Sequence, residues 1–288
     1  MKNLALAIRM SIAFMAFADH SFAQDVETVF ERLQGYKEGD NVYFNTDGVE
    51  INCIHRPGPF TPKNIADSYP FSNVKAKKLK PDPGLNRPNF YEPGEILRAP
   101  ELSSTLDYYF AQDSDRMVLF SFTSNHAISQ DFERAFIELY LDRKIPKEIF
   151  QPVDVTRGNF AGREISLSTG CTWSGGTDLR CPYGQVRWSS FKSQEQAAMD
   201  KQNHLKAIEA EGNSIHRKEK TTVTFEGERV EALKVYITFI RRRGQFTQRN
   251  EMIGYLVVAP VRGKYVSCVV LHNYNDALPD VAAQIMKL

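Results

Sequence analysis

The sequence predicts an α+β fold. Its C-terminal half is mainly antiparallel sheet with segregated helices, stapled by disulfides, and its N-terminal half carries a long proline-rich loop. Three observations lead there. Strand-like runs separated by glycine turns follow one another through the last part of the chain. Helical periodicity is confined to a few stretches and does not alternate with the strands. Nine of the fourteen prolines fall within residues 57–100, where missing N–H donors and restrained predecessors largely exclude regular structure.

In chain order, residues 25–36 read as a short amphipathic helix, capped by Asp25, with Val26, Val29, Phe30 and Leu33 on one face. A hairpin follows, Val42 to Thr46 and Val49 to Ile54 around the Asp47-Gly48 turn. Aromatics within residues 57–100 (Phe60, Tyr69, Phe71, Phe90, Tyr91) favour an extended loop wrapped over a core rather than a solvated spacer. The same stretch holds a basic run, Lys75, Lys77, Lys78 and Lys80. Leu102, Leu106, Tyr109 and Phe110 have helical spacing, Met117 to Thr123 reads as a buried strand, and a helix runs from a Ser129 cap to Lys144. Its inward set is Phe132, Ala135, Phe136, Leu139 and Tyr140.

Residues 24–150 thus form a helix-rich N-terminal region and residues 151–288 an antiparallel α+β region, with the two able to share one domain. In the second region, strands Gly162 to Thr169 and Tyr183 to Ser189 flank a cysteine loop as a stapled hairpin. A polar helix, Ser193 to Glu211, has capping-box spacing at Ser193 and Gln196 and a thin apolar side, Ala197, Leu205 and Ile208, which places it on the surface. Four strands then run Thr221 to Phe225, Val230 to Arg241, Met252 to Ala259 and Lys264 to His272, before a closing helix over Pro279 to Leu288. This order of hairpin, helix, meander and terminal helix resembles the PsbP-like shape, from which no function or residue is carried over. No internal repeat is visible in the sequence.

The first 23 residues read as a cleavable secretory signal peptide: Lys2 and Arg9, the apolar run Met10 to Ala18, and small Ser21 and Ala23 before a cut near Ala23/Gln24. The product would be secreted or periplasmic. It would carry 34 basic and 34 acidic residues, a neutral balance that gives no strong nucleic-acid signal. No later run approaches the length of a transmembrane segment. In an oxidising compartment four cysteines imply disulfides. Cys171 and Cys181 bracket a short glycine-bearing loop, which leaves Cys53 and Cys268 for each other. Without Cys-x-x-Cys spacing no zinc site is expected, and no other metal or cofactor is implied.

Catalytic signatures are sparse. His-Glu-x-x-His, Gly-x-Ser-x-Gly and the phosphate-binding glycine loops are absent, and Ser-x-x-Lys at Ser72/Lys75 and Ser189/Lys192 lacks its companion motifs. His55, His126 and His272 are the candidates for acid–base work, the first and last brought together if Cys53 and Cys268 are bridged. Two surfaces invite binding. Arg241, Arg242, Arg243, Phe246 and Arg249 surround a glycine turn suited to an anion, and Trp173 and Asp178 lie on the stapled loop, where a tryptophan can stack on a sugar or anchor a protein. The reading is an exported, non-catalytic binding protein of the cell envelope or extracellular space, with an anionic envelope ligand, a glycan or a protein as partner. The competing readings are an exported hydrolase assembled from distant loops and a secreted effector.

Overall fold

Short local signals set the first sheet. The structure, a computed structural model, describes residues 29–99, 102–152, 156–182, 184–210, 214–243, 246–273 and 278–288; the leader expected at 1–23 lies outside them. β1 (Gln34–Glu38), β2 (Asn41–Thr46) and β3 (Val49–Pro57) form a meander. Asp47 and Gly48 close β2 onto β3 with φ of 48° and 74°, as a primed hairpin turn requires. The helix read over 25–36 is overturned in its last residues, because β1 pairs antiparallel with β2 there. A Cβ on Gly35 would stand 2.8 Å from the Phe44 ring, so only glycine lets this edge strand lie so close.

The proline-rich stretch has more regular structure than its composition predicts. α1 (Pro62–Ser68) is capped by Thr61, whose Oγ1 accepts the Asn64 N–H at 3.3 Å. Two short 3₁₀ turns follow at Pro70–Ser72 and Ala76–Lys78. Ile65, Tyr69, Val74 and Leu79 turn inward onto Phe110, Met117 and Leu119. From Asn89 the chain is strand again: β4 (Asn89–Ala99) pairs with β5 (Leu102–Asp113), β5 with β6 (Arg116–Ser124), and β6 returns beside β3. The helical spacing at Leu102 to Phe110 is therefore β5. That strand is buried on both faces, Tyr109 and Ala111 on one side and Phe110 on the other, so it lacks the alternation that marks a half-buried strand. α2 (Gln130–Leu141) covers the Tyr109 side through Phe136, Ile137 and Leu141. Its inward face is rotated from the sequence reading: Glu133 is buried, whereas Ala135 and Leu139 are half-buried.

The second half opens with a two-stranded ribbon, β7 (Arg157–Phe160) and β8 (Arg163–Ser166). β9 (Thr172–Trp173), β10 (Asp178–Cys181) and β11 (Gly184–Phe191) make a meander. The stapled hairpin is therefore β9–β10, not a pairing of residues 162–169 with 183–189. α3 (Gln194–Ala210) leads to β12 (Ser214–Phe225), β13 (Glu228–Arg243), β14 (Phe246–Val261) and β15 (Lys264–Asn273). α4 (Asp280–Ile285) and the short β16 (Met286–Lys287) end the chain. α3 does not lie loose on the surface. It crosses β11, β14 and β15, with Ile208 packed against Val235, Ile237, Leu256 and Val269. The other face of this sheet packs on Val281, Ala282 and Ile285 of α4.

The two halves share one wiring. Strand order is β1-β2-β3-β6-β5-β4 in the first sheet and, read from its far edge, β9-β10-β11-β15-β14-β13-β12-β16 in the second. In each, a three-stranded meander is followed by an excursion across one face, then by a meander whose last strand lies antiparallel to the third strand, then by a helix on the other face. The repeat is topological and leaves no trace in residue identities.

Cys171 and Cys181 are disulfide-bonded. Cys53 and Cys268 are not, which corrects the pairing reached by elimination: each is buried in the core of a different sheet. Burial pushes both thiols above their ordinary range.

Candidate functional site

The halves meet where the β2–β3 turn enters the corner between β11 and α3. The Asp47 N–H donates to the Ser190 carbonyl at 3.1 Å. A Cβ on Gly48 would stand 3.1 Å from the Phe191 ring and 3.4 Å from Asp200 Oδ1. The Trp188 indole N–H donates to Gln34 Oε1 at 2.6 Å, and Arg187 is ion-paired with Glu50 across the junction. Arg32 holds the turn from behind with a two-point bond to Asp47, 2.8 Å on each oxygen.

Beside this junction opens a cleft of about 310 Å³. The first half lines it with Asn45, Glu50, Ser124 and Asn125, and the second with Asp178, Arg180, Arg187 and Ser189. Asp200, His204 and Ile208 of α3 form one wall, and Phe239 and Met252 of the β13–β14 hairpin another. Ala197, Asp200, His204 and Ile208 recur at helical spacing, so they share the face of α3 that meets the sheet. His204 Nε2 lies 3.3 Å from Asp200 Oδ2, their side chains 15% and 12% exposed. Burial raises the Asp200 pKa, but His204, Ser267 and Arg187 outweigh it and hold the carboxyl below its usual range. Asp178 accepts a bond from Gln185 Nε2 at 2.6 Å, while Arg180 next to it is exposed. A carboxylate-paired histidine can relay a proton. No serine, threonine or cysteine side chain bonds to His204 among the described residues.

The candidates read from sequence are dispersed. Asp178 lies in the cleft, but Trp173 points away from it. That ring is 8% exposed, 5.9 Å from Trp188 and 6.2 Å from Tyr36, so it closes the core beneath the stapled loop instead of offering a face for stacking. Arg241, Arg242, Arg243, Phe246 and Arg249 fall on the β13–β14 hairpin. There Arg243 pairs with Phe246 and Arg241 with Gln248, while the side chains of residues 240–249 lie outside the described ones. β12 stops pairing at Thr238 and β15 at Met252. Among the described residues, the two strands beyond that point pair only with each other, forming an arm rooted at the cleft.

His126 lies near the cleft, in a hollow with Arg32, Asp47 and Phe132. Its Nδ1 is 2.7 Å from Ser124 Oγ, and burial lowers its pKa. His55 and His272 are not neighbours. His55 sits between the Asp40 carbonyl, 2.8 Å from Nδ1, and Asp113, 3.4 Å from Nε2. His272 is buried in the second sheet, stacked on Tyr255 at 5.9 Å. Sequence reasoning missed His204 and Asp200. The available signal was a helix whose apolar side is too thin unless polar residues are buried with it. Among the described residues no group of three or more histidine, cysteine or acidic side chains is arranged to hold a metal ion.

No family model matches the chain, and no curated protein matches it. Among solved structures, the apo structure of immunity protein TplEi of T6SS from Pseudomonas aeruginosa is 10% identical over 86% of this chain and 90% of that one, with a TM-score of 0.20. The bifunctional dehydratase-cyclase domain in ambruticin biosynthesis is 11% identical over 88% and 98%, with a TM-score of 0.13. Scores this low do not establish a common fold.

Proposed function

We propose that the chain is exported, loses residues 1–23, and serves in an oxidising compartment as a non-catalytic binding protein that holds a protein partner at the cleft between its halves. The observation that carries this is the convergence of Arg180, α3 and the root of the β13–β14 arm on one polar cleft. Its ionisable groups are mostly paired with one another, Glu50 with Arg187 and Asp200 with His204. That arrangement suits recognition by exchange of partners more than bond cleavage. The Cys171–Cys181 bridge fits an oxidising compartment, and no helix among the described residues is long and apolar enough to cross a membrane. The arginines of the arm would add attraction for an acidic partner.

Photo-crosslinking residues placed at Asn125 and Met252, with Lys218 on β12 as control, test this. One protein should attach at both cleft positions and not at the control, and it should re-form a complex when purified. Attachment only at the control position would refute the reading.

The Asp200–His204 pair favours one alternative, a hydrolase. Ester, peptide or glycoside cleavage that disappears in His204→Ala while folding is kept would establish it.

A further inference from the structure

We propose that the outer side of the proline-rich segment, Phe71 to Lys80, is a docking face for an anionic lipid bilayer. It is a site separate from the cleft and does not depend on what the cleft binds.

The segment is fixed from within. The Tyr69 hydroxyl donates toward the Ile54 and Met117 carbonyls, 3.0 Å from each. Val74 and Leu79 are buried with Tyr69 in one cluster. Lys80 and Tyr91 exchange backbone bonds, the Tyr91 N–H reaching the Lys80 carbonyl at 2.8 Å. With those side chains turned in, Lys75, Lys77, Lys78 and Lys80 are all exposed. Of the four, only Lys78 has an ion-pair partner among the described residues, Glu92 at 3.9 Å. Phe71 is 53% exposed, edge-on to Tyr69 at 6.1 Å. A large aromatic is therefore held out in water a few residues from a row of four ammonium groups, one of them paired at 3.9 Å, on a chain whose overall charge is close to neutral.

Lysines draw a surface toward lipid phosphates, and an aromatic ring gains by entering the headgroup boundary. An exposed ring suits a protein interface as well, but lysine is depleted from such interfaces, so four lysines beside one ring match the bilayer better.

The test is co-sedimentation of the purified chain with vesicles of phosphatidylglycerol and phosphatidylcholine, against phosphatidylcholine alone and against soluble polyglutamate. The chain should bind the anionic vesicles, ignore the neutral ones, and release in high salt. Each lysine near a charged surface contributes about fivefold, so Lys75→Glu, Lys77→Glu and Lys80→Glu together should lower partitioning about 100-fold or more. Phe71→Ser should weaken it severalfold without changing its salt dependence. Unchanged melting curves for both variants keep the comparison valid, and Lys75→Gln with Lys77→Gln serves if the triple variant misfolds. Equal binding by the lysine variants, no binding to anionic vesicles, or lysine-dependent binding to polyglutamate alone would overturn the proposal.

Discussion

Replacing Glu133 by glutamine should make the protein more stable in alkaline solution. Glu133 faces the sheet from α2, 1% exposed, with the Tyr109 hydroxyl donating to its Oε2 at 3.2 Å. Asp107 beside it is 7% exposed and accepts the Tyr91 hydroxyl at 3.0 Å. Burial, and then the charge of Asp107, push the Glu133 pKa up to about 8 from an ordinary 4.5. The folded state therefore keeps a proton that the unfolded chain releases. The sign follows: this stabilisation is fully present below about pH 4.5, declines as pH rises, and is lost once pH passes about 8. At about 1.4 kcal/mol per unit, the shift corresponds to a decline of about 5 kcal/mol at most. Glutamine keeps a neutral donor and acceptor in the same shape and cannot ionise. Urea unfolding of both proteins at pH 5 and pH 9 reports Glu133 together with the Asp107 beside it, since the titrations of groups away from this pair cancel in the difference. The two should be nearly equal at pH 5, with Glu133→Gln several kcal/mol more stable at pH 9. An equal pH slope in both proteins would refute the buried-acid account.

Four further outcomes follow from the disulfide and the packing. Removing the staple with Cys171→Ser and Cys181→Ser frees a short loop and should cost about 3 kcal/mol in denaturant. In the intact protein a thiol reagent should find no reactive cysteine when folded and two when unfolded, where a bridged Cys53–Cys268 pair would yield none. Trp173→Ala should destabilise by about 3–5 kcal/mol, as expected for an indole removed from a core; an unchanged melting temperature would restore it as a surface residue. Gly48→Ala places a methyl group in a left-handed turn against Phe191, and should cost about 1–3 kcal/mol in thermal unfolding.

What could be read in advance was local. Asp47-Gly48, Glu226-Gly227 and Arg262-Gly263 each place two residues at positive φ at a hairpin tip, because turn chemistry is decided by the residues that make the turn. The β13–β14 pairing as far as Arg241 and Met252 and the Ser193 cap, which accepts the Gln196 N–H at 3.3 Å, are legible for the same reason, whereas the strands run on to Arg243 and Phe246. Features set by distant packing were not. Tyr109, Phe110 and Ala111 are consecutive and all buried, so β5 carries no period. Counting cysteines leaves Cys53 and Cys268 as a pair, but a count holds no distances and each belongs to a different sheet. The cleft is not visible in the sequence because Asp200 and His204 look like the solvent side of a polar helix until β11 and β15 cover them. Asp178 lies in the cleft because β10 alternates Leu179 inward and Asp178 and Arg180 outward.

The most direct test of the binding account is calorimetric titration of the crosslinked partner, once purified, into the wild-type chain and Arg180→Glu. Arg180 is exposed in the cleft, and among the described residues no ion pair or core cluster includes its side chain. The substitution should weaken binding at least tenfold with no change in melting temperature. Equal affinity in the two proteins would contradict the binding account.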